Sequence, residues 1–149
     1  MIFKGINQQT VEFKILNYQF PEVQNCVYDS NWLQIYLQVK SDCGEWESTD
    51  PSLLVSEVKA CISWFTHLAN NQTVSHSLSF LEPNLEFILL KNESELKTVR
   101  IVFSLESRPK DTDNTKSYVV DCEWTPAELH TIVSQLQLEL ANFPERALN

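Results

Sequence analysis

Glycine is nearly missing from this 149-residue chain, which holds only Gly5 and Gly44. Two glycines so placed cannot build a Walker A loop or a dinucleotide fingerprint, so the phosphate-cradling classes fall away. The four cysteines, Cys26, Cys43, Cys61 and Cys122, form no Cys-x-x-Cys pair and no tight Cys/His cluster, which argues against structural zinc. His-x-x-x-His, His-x-Glu and Gly-x-Ser-x-Gly are absent, removing the local signatures of zinc hydrolases, deaminases and α/β-hydrolases. No stretch approaches the ~18 uninterrupted apolar residues of a membrane helix. The start, Met1-Ile2-Phe3-Lys4-Gly5, lacks the basic, apolar, small-residue order of a signal peptide, so a cytoplasmic location with reduced thiols is expected. No repeat, low-complexity tract or Pro/Gly-rich linker divides the sequence, and its length suits one domain over 1–149. No metal and no cofactor is expected.

Basic residues are scarce as well. Eleven Lys and Arg face twenty Asp and Glu, a net charge of −9. The excess is concentrated: residues 17–57 sum to −6 and 121–149 to −4, while 58–120 are neutral and 1–16 carry +1. Such a field repels phosphate backbones and anionic lipid, so no direct nucleic-acid or membrane partner is expected, and it steers basic partners inward.

What is present is a folded chain, 43% hydrophobic and 11% aromatic. Val11, Phe13 and Ile15 alternate with Glu12 and Lys14, and Leu33, Ile35, Leu37 and Val39 alternate with Gln34, Tyr36, Gln38 and Lys40. Both have the two-residue period of strands buried on one face. A turn at Asp42-Cys43-Gly44 predicts a hairpin whose returning strand, Glu45-Trp46-Glu47, is short. Beyond Thr49, the stripe Leu54, Val58, Cys61, Ile62, Phe65 and Leu68 predicts a helix over about 51–69, with Asp50 as N-cap and Pro51 in the first turn.

Three further strand patterns follow: Val74/Leu78/Phe80, Leu85/Phe87/Leu89 and Val99/Ile101/Phe103/Leu105. Glu82-Pro83-Asn84 and Asn92 to Glu95 supply the turns between them. A polar loop over 107–116 leads to a last strand through Tyr118, Val120, Cys122 and Trp124. Thr125-Pro126-Ala127-Glu128 is a capping box that opens a second helix over about 126–142, its apolar stripe running through Leu129, Ile132, Val133, Leu136 and Leu140. Short connections favour antiparallel pairing. The expected fold is α+β: a mainly antiparallel sheet of about seven or eight strands with two amphipathic helices packed on one face.

Candidates for chemistry are few. His67 near the end of the first helix suits the helix dipole, and His130 suits a surface turn. His76 shares strand parity with Val74, Leu78 and Phe80, which would turn it toward the core. An enzyme assembled from His76 and a distant cysteine or carboxylate has little else to recommend it. Asp42, Glu45, Glu47 and Asp50 are too irregular for a calcium loop. They read either as a solvated hairpin edge or as a docking patch for Lys and Arg.

The order Tyr18-Gln19-Phe20-Pro21, Tyr28-Asp29-Ser30-Asn31-Trp32-Leu33, Gly44 and Trp46, Asp50-Pro51-Ser52-Leu53-Leu54, then Glu57 and Trp64 resembles the WapI family of bacterial immunity proteins. The clearest motifs cover about residues 18–65. The resemblance implies a small cytoplasmic protein that binds and neutralises a cognate toxin, typically the C-terminal module of a wall-associated or contact-delivered polymorphic protein. The namesake toxin attacks tRNA, which makes a nuclease one expectation. Tyr18, Phe20, Trp32, Trp46 and Trp64 look like core and corner residues, and Asp29 and Asn31 like turn formers. The expected toxin contacts are Asp42, Glu45, Glu47 and Asp50, with Asp29 from the motif. The alternative is a non-enzymatic ligand-binding or accessory domain using the sheet face of Gln34, Tyr36 and Gln38.

Overall fold

The computed structural model describes residues 1–146. Its eight strands divide into two four-stranded antiparallel sheets rather than one. The first takes β1 (Ile2–Lys4), β2 (Thr10–Tyr18), β3 (Trp32–Ser41) and β4 (Gly44–Leu54) in that order. The second takes β5 (Ser77–Ser79), β6 (Leu85–Asn92), β7 (Lys97–Phe103) and β8 (Tyr118–Trp124). Helix α1 (Val55–Ala69) joins the sheets and α2 (Pro126–Leu140) closes the chain. The α+β class therefore holds, and the helices pack against each other.

The alternations set the inner faces. Leu33, Ile35, Leu37 and Val39 of β3 are buried, as are Val99, Ile101 and Phe103 of β7 and Tyr118, Val120, Cys122 and Trp124 of β8. One aromatic cluster fuses the layers: Phe3 of β1 meets Phe87 and Trp124 of the other sheet, and Phe65 of α1 meets all three. Each fully buried ring of this kind contributes about 1.5–3 kcal/mol by leaving water. Indole N–H groups add direction. Trp124 Nε1 donates to Lys4 O at 2.9 Å, crossing from the second sheet to the first, and Trp46 Nε1 of the first sheet donates to Ser107 O in the turn after β7 at 2.8 Å.

The first helix starts later than its sequence pattern predicts. Residues 50–54 are the end of β4, which is eleven residues long rather than short. Pro51 is tolerated there because β4 is an edge strand and the register shifts between the Leu33–Leu53 and Ile35–Asp50 pairs, a bulge that needs no ladder hydrogen bond from residue 51. The N-cap is Leu54, not Asp50, and Glu57 Oε2 accepts from Leu54 N at 2.9 Å. The second helix begins as its capping box predicts, with Thr125 N donating to Glu128 Oε2 at 2.8 Å, and ends at Leu140, two residues early. Glu139 faces inward enough to accept from Ile15 N and from the Met1 amino group, tying α2 to β2.

Two other patterns end sooner than the periodicity suggests. β5 keeps only Ser77–Ser79, and His76 is exposed beside it rather than facing the core. Leu105 is not a strand residue. It opens a short 3-10 turn over Leu105–Ser107 at φ 50° and stands 53% exposed. The two glycines have different reasons: Gly44 sits at φ 122° after the hairpin turn, whereas Gly5 has an ordinary φ of −89° but no room, since a Cβ there would lie 2.6 Å from Val120 Cγ1.

Candidate functional site

The bulge that misplaces Pro51 also aims Asp50. At this point β4 passes beside the 3-10 turn, and two adjoining grooves open along the line of contact. The larger, about 620 Å³, is lined by Tyr36, Glu47, Asp50, Leu105 and Glu106 and ends at Arg108 and Lys110. The smaller, about 330 Å³, is lined by Gln19, Phe20, Asp29, Trp32, Asp50, Pro51, Glu82 and Glu106, four carboxylates and two aromatics with no cation. Asp50 and Glu106 line both grooves.

Asn84, completely buried, links these two acids. Its Nδ2 donates to Asp50 Oδ2 at 3.0 Å and to Glu106 Oε2 at 3.4 Å, while its Oδ1 has no donor. The side chain is fixed from behind by its own backbone, whose carbonyl accepts from Ser104 N at 2.9 Å. Burial, then the charge of Glu106, holds the Asp50 carboxyl above its ordinary value, and the Asn84 bond only partly offsets them. Asp50 is thus an anion short of compensating charge.

Of the carboxylates expected to bind a partner, the fold brings Asp29, Glu47 and Asp50 to this groove system and leaves Asp42 and Glu45 at the hairpin turn. From Glu45 to Asp50 the extended strand runs about 17 Å. Glu45 pairs across the ladder with Lys40, and Asp42 N donates to Gln9 Oε1. Glu47 accepts from Gln38 Nε2 and lies close enough to Tyr36 that burial and the Glu47 charge together raise the phenol. Glu82 and Glu106 escaped the sequence reading because each sits in a segment that reads only as a turn or a strand end. Their one visible signal is an acid next to Pro83 and an acid directly after Leu105.

The loop over 19–31 presents Phe20 and Asp29 to the smaller groove, and the motif residues around it hold that loop. Asn31 is buried and exchanges hydrogen bonds with Arg146. The Arg146 guanidinium lies 3.6 Å from the Tyr18 ring centroid and donates to the carbonyls of Phe20, Pro21 and Val23. Tyr18, Trp46 and Trp64 are core residues as expected, whereas Phe20 is 41% exposed and Trp32 half-buried.

The three histidines lie apart. The His67 ring shares a hydrogen bond with Ser63 Oγ across a helical turn at 3.4 Å, and His130 and His76 are exposed. Among the described residues, no group of three His, Cys, Asp or Glu side chains is arranged to hold a metal ion. No helix among them is long and apolar enough to cross a membrane.

The fold is of the α+β class, and an acidic, partly apolar pair of grooves runs beside β4. Residues 1–144 match the Immunity protein WapI-like family, and the chain belongs to it. That membership gives it an immunity function. No curated protein and no solved structure matches the chain.

Proposed function

We propose that this chain acts in the cytoplasm as a non-enzymatic inhibitor that binds and neutralises a cognate secreted or contact-delivered bacterial toxin, a nuclease with a basic substrate groove. The observation that carries the reading is the family match over nearly the whole chain. The net charge of −9 supports it, because an acidic inhibitor is steered to the surface a nuclease uses for its substrate and blocks it on arrival. The proposed contacts are Asp29, Glu47 and Asp50 at the grooves, with Asp42 and Glu45 as an outlying acidic pair that acts on encounter.

The test is co-expression with a candidate cognate toxin module. Growth rescue together with a stable purified complex is the expected result. A toxin that kills equally well with or without the chain, and that forms no complex with it, sinks the reading for that pair. A second reading, a ligand-binding or accessory domain, draws on the groove beside Tyr36 and on its mixed lining of Glu47, Arg108 and Lys110. Saturable binding of a small zwitterion there, without toxin binding, would favour it.

A further inference from the structure

We propose that the docking surface for the toxin is the end of the molecule built by the loop over 19–31, the β5–β6 turn and the 3-10 turn. Phe20, Val27, Tyr28, Leu81 and Leu105 are its apolar anchors, and its occupant is an apolar protein surface rimmed by Lys and Arg. The inference rests on the immunity reading for the partner being a toxin. Placement comes first. Phe20 and Asp29, from the two ends of the loop, meet Glu82 and Glu106 along the smaller groove. Val27 and Tyr28 directly precede Asp29, Leu81 precedes Glu82 and Leu105 precedes Glu106, so the five apolar residues gather where three separate segments converge. All five stand between 41 and 61% exposed, and none belongs to the hydrophobic core. Single surface leucines are ordinary, but large apolar side chains gathered on irregular segments mark an interaction surface.

The second observation is that the backbone is constrained to hold these side chains out. Leu105 sits at φ 50°, a left-handed conformation that crowds a Cβ and that Gly or Asn adopts at less cost. The loop over 19–31 has no strand or helix of its own, yet it is tied down. Arg146 donates to the carbonyls of Phe20, Pro21 and Val23, Asn31 Nδ2 donates to Val27 O, and Cys26 O and Tyr28 O accept from Ser30 N and Asn31 N. An irregular segment of this length inside a compact domain is usually functional, and fixing it before encounter removes an ordering cost from binding. Phe20 and Tyr28 are then aromatic anchors of the kind that dominate protein interfaces.

Charge selects the occupant. The loop holds Glu22 and Asp29 and no Lys or Arg, and Glu82 and Glu106 continue the acidic rim. The Arg146 guanidinium is engaged by the three carbonyls and the Tyr18 ring, while Arg108 and Lys110 line only the adjoining groove. A second copy of this chain would set its own acids against these, and an anionic membrane would be repelled. A basic protein surface with an apolar centre satisfies both the anchors and the rim.

The experiment measures affinity for a candidate toxin module by calorimetry in the parent chain, in Tyr28→Ser, Leu81→Ser, their double variant and Leu105→Asn, and in Leu90→Ser, an exposed leucine at the far end of β6. Each patch variant should bind about tenfold more weakly, the double variant about a hundredfold, and Leu90→Ser as the parent does. Tm should stay at the parent value in the serine variants and rise in Leu105→Asn, a gain in stability with a loss of binding that a merely structural role would not produce. Parent-like affinity in the double variant, an equal loss in Leu90→Ser, or a fall in Tm that tracks the loss of binding would each overturn the surface and leave the immunity reading standing. A second arm needs no toxin: ¹⁵N-labelled full chain is titrated with Lys-Trp-Leu-Lys amide and with Glu-Trp-Leu-Glu amide. Saturable shifts at the amides of residues 20, 27–29, 81 and 105 are expected with the basic peptide, and binding about tenfold weaker with the acidic one. Shifts spread evenly over the surface, or equal for the two peptides, would overturn the proposal. If the module binds neither parent nor variants, the immunity reading fails for that pair while the peptide titration still decides the surface.

Discussion

Asn31 and Arg146 hold each other by a reciprocal pair of hydrogen bonds, Arg146 N donating to Asn31 Oδ1 at 2.8 Å and Asn31 Nδ2 donating to Arg146 O at 3.0 Å. The same Nδ2 also donates to Val27 O at 2.9 Å. One side chain thus pins two segments 115 positions apart. Asn31→Ala leaves all three backbone groups to find other partners at a buried position, and a loss of about 2 kcal/mol follows, read as a fall in Tm of about 4–8 °C. Arg146→Ala keeps the backbone pair and removes only the guanidinium. It should cost less in Tm yet loosen residues 19–31, seen as faster amide exchange in that loop than elsewhere.

Trp46 stands between the sheets. Its ring packs edge-on against Phe103 and Tyr118 at centroid distances of 5.4 and 5.7 Å, and its N–H reaches Ser107 O. Trp46→Phe keeps most of the packing and deletes the buried donor, so about 1–3 kcal/mol should be lost in urea unfolding with an unchanged m value. Trp46→Ala adds a cavity and should cost about 3–5 kcal/mol. Equal losses for the two variants would mean that the hydrogen bond matters little.

The cysteines divide into two pairs. Cys61 and Cys122 are buried, and burial pushes both thiols far above their ordinary range. Cys26 and Cys43 are half-buried. A thiolate is the reactive form, so a thiol reagent at pH 8 should modify Cys26 and Cys43 in the folded protein and reach Cys61 and Cys122 only in denaturant. Rapid modification of all four under native conditions would contradict this packing.

Periodicity made most of the fold legible before any coordinates. The alternations in β2, β3, β7 and β8 and the stripe of α2 all survive, because each follows from one buried face. What the pattern does not carry is which strands share a sheet. Nothing in Leu85/Phe87/Leu89 says that Phe87 will meet Phe3 from another sheet. The start of α1 was misread for a local reason: Asp50-Pro51 has the chemistry of a helix start, and the same two residues also fit a bulged edge strand. The site was half legible. Asp29, Glu47 and Asp50 stood out as acids near a motif, while Glu82, Asn84 and Glu106 come together only through the packing of two turns that are distant in sequence.

Asp50 should set stability against binding. Its pKa is raised in the folded state by burial first and by Glu106 next, so the folded chain holds the proton more tightly than the unfolded one does. By linkage, the unfolded state then binds fewer protons than the native state in the window from the ordinary value of 3.8 upward to the raised one. Across that window the Asp50 contribution falls as pH rises, and above it the ionised carboxylate is a standing cost. Asp50→Asn removes the cost and should raise Tm at pH 7 by up to about 2 °C, with the gain vanishing as pH falls below the window. The same substitution takes an anion from the groove and should weaken toxin binding, chiefly by faster dissociation. Thermal melts of parent and variant from pH 3 to 7, set beside dissociation rates from the toxin module, check both halves. A variant less stable than the parent at neutral pH would mean that Asp50 is already compensated in the free protein.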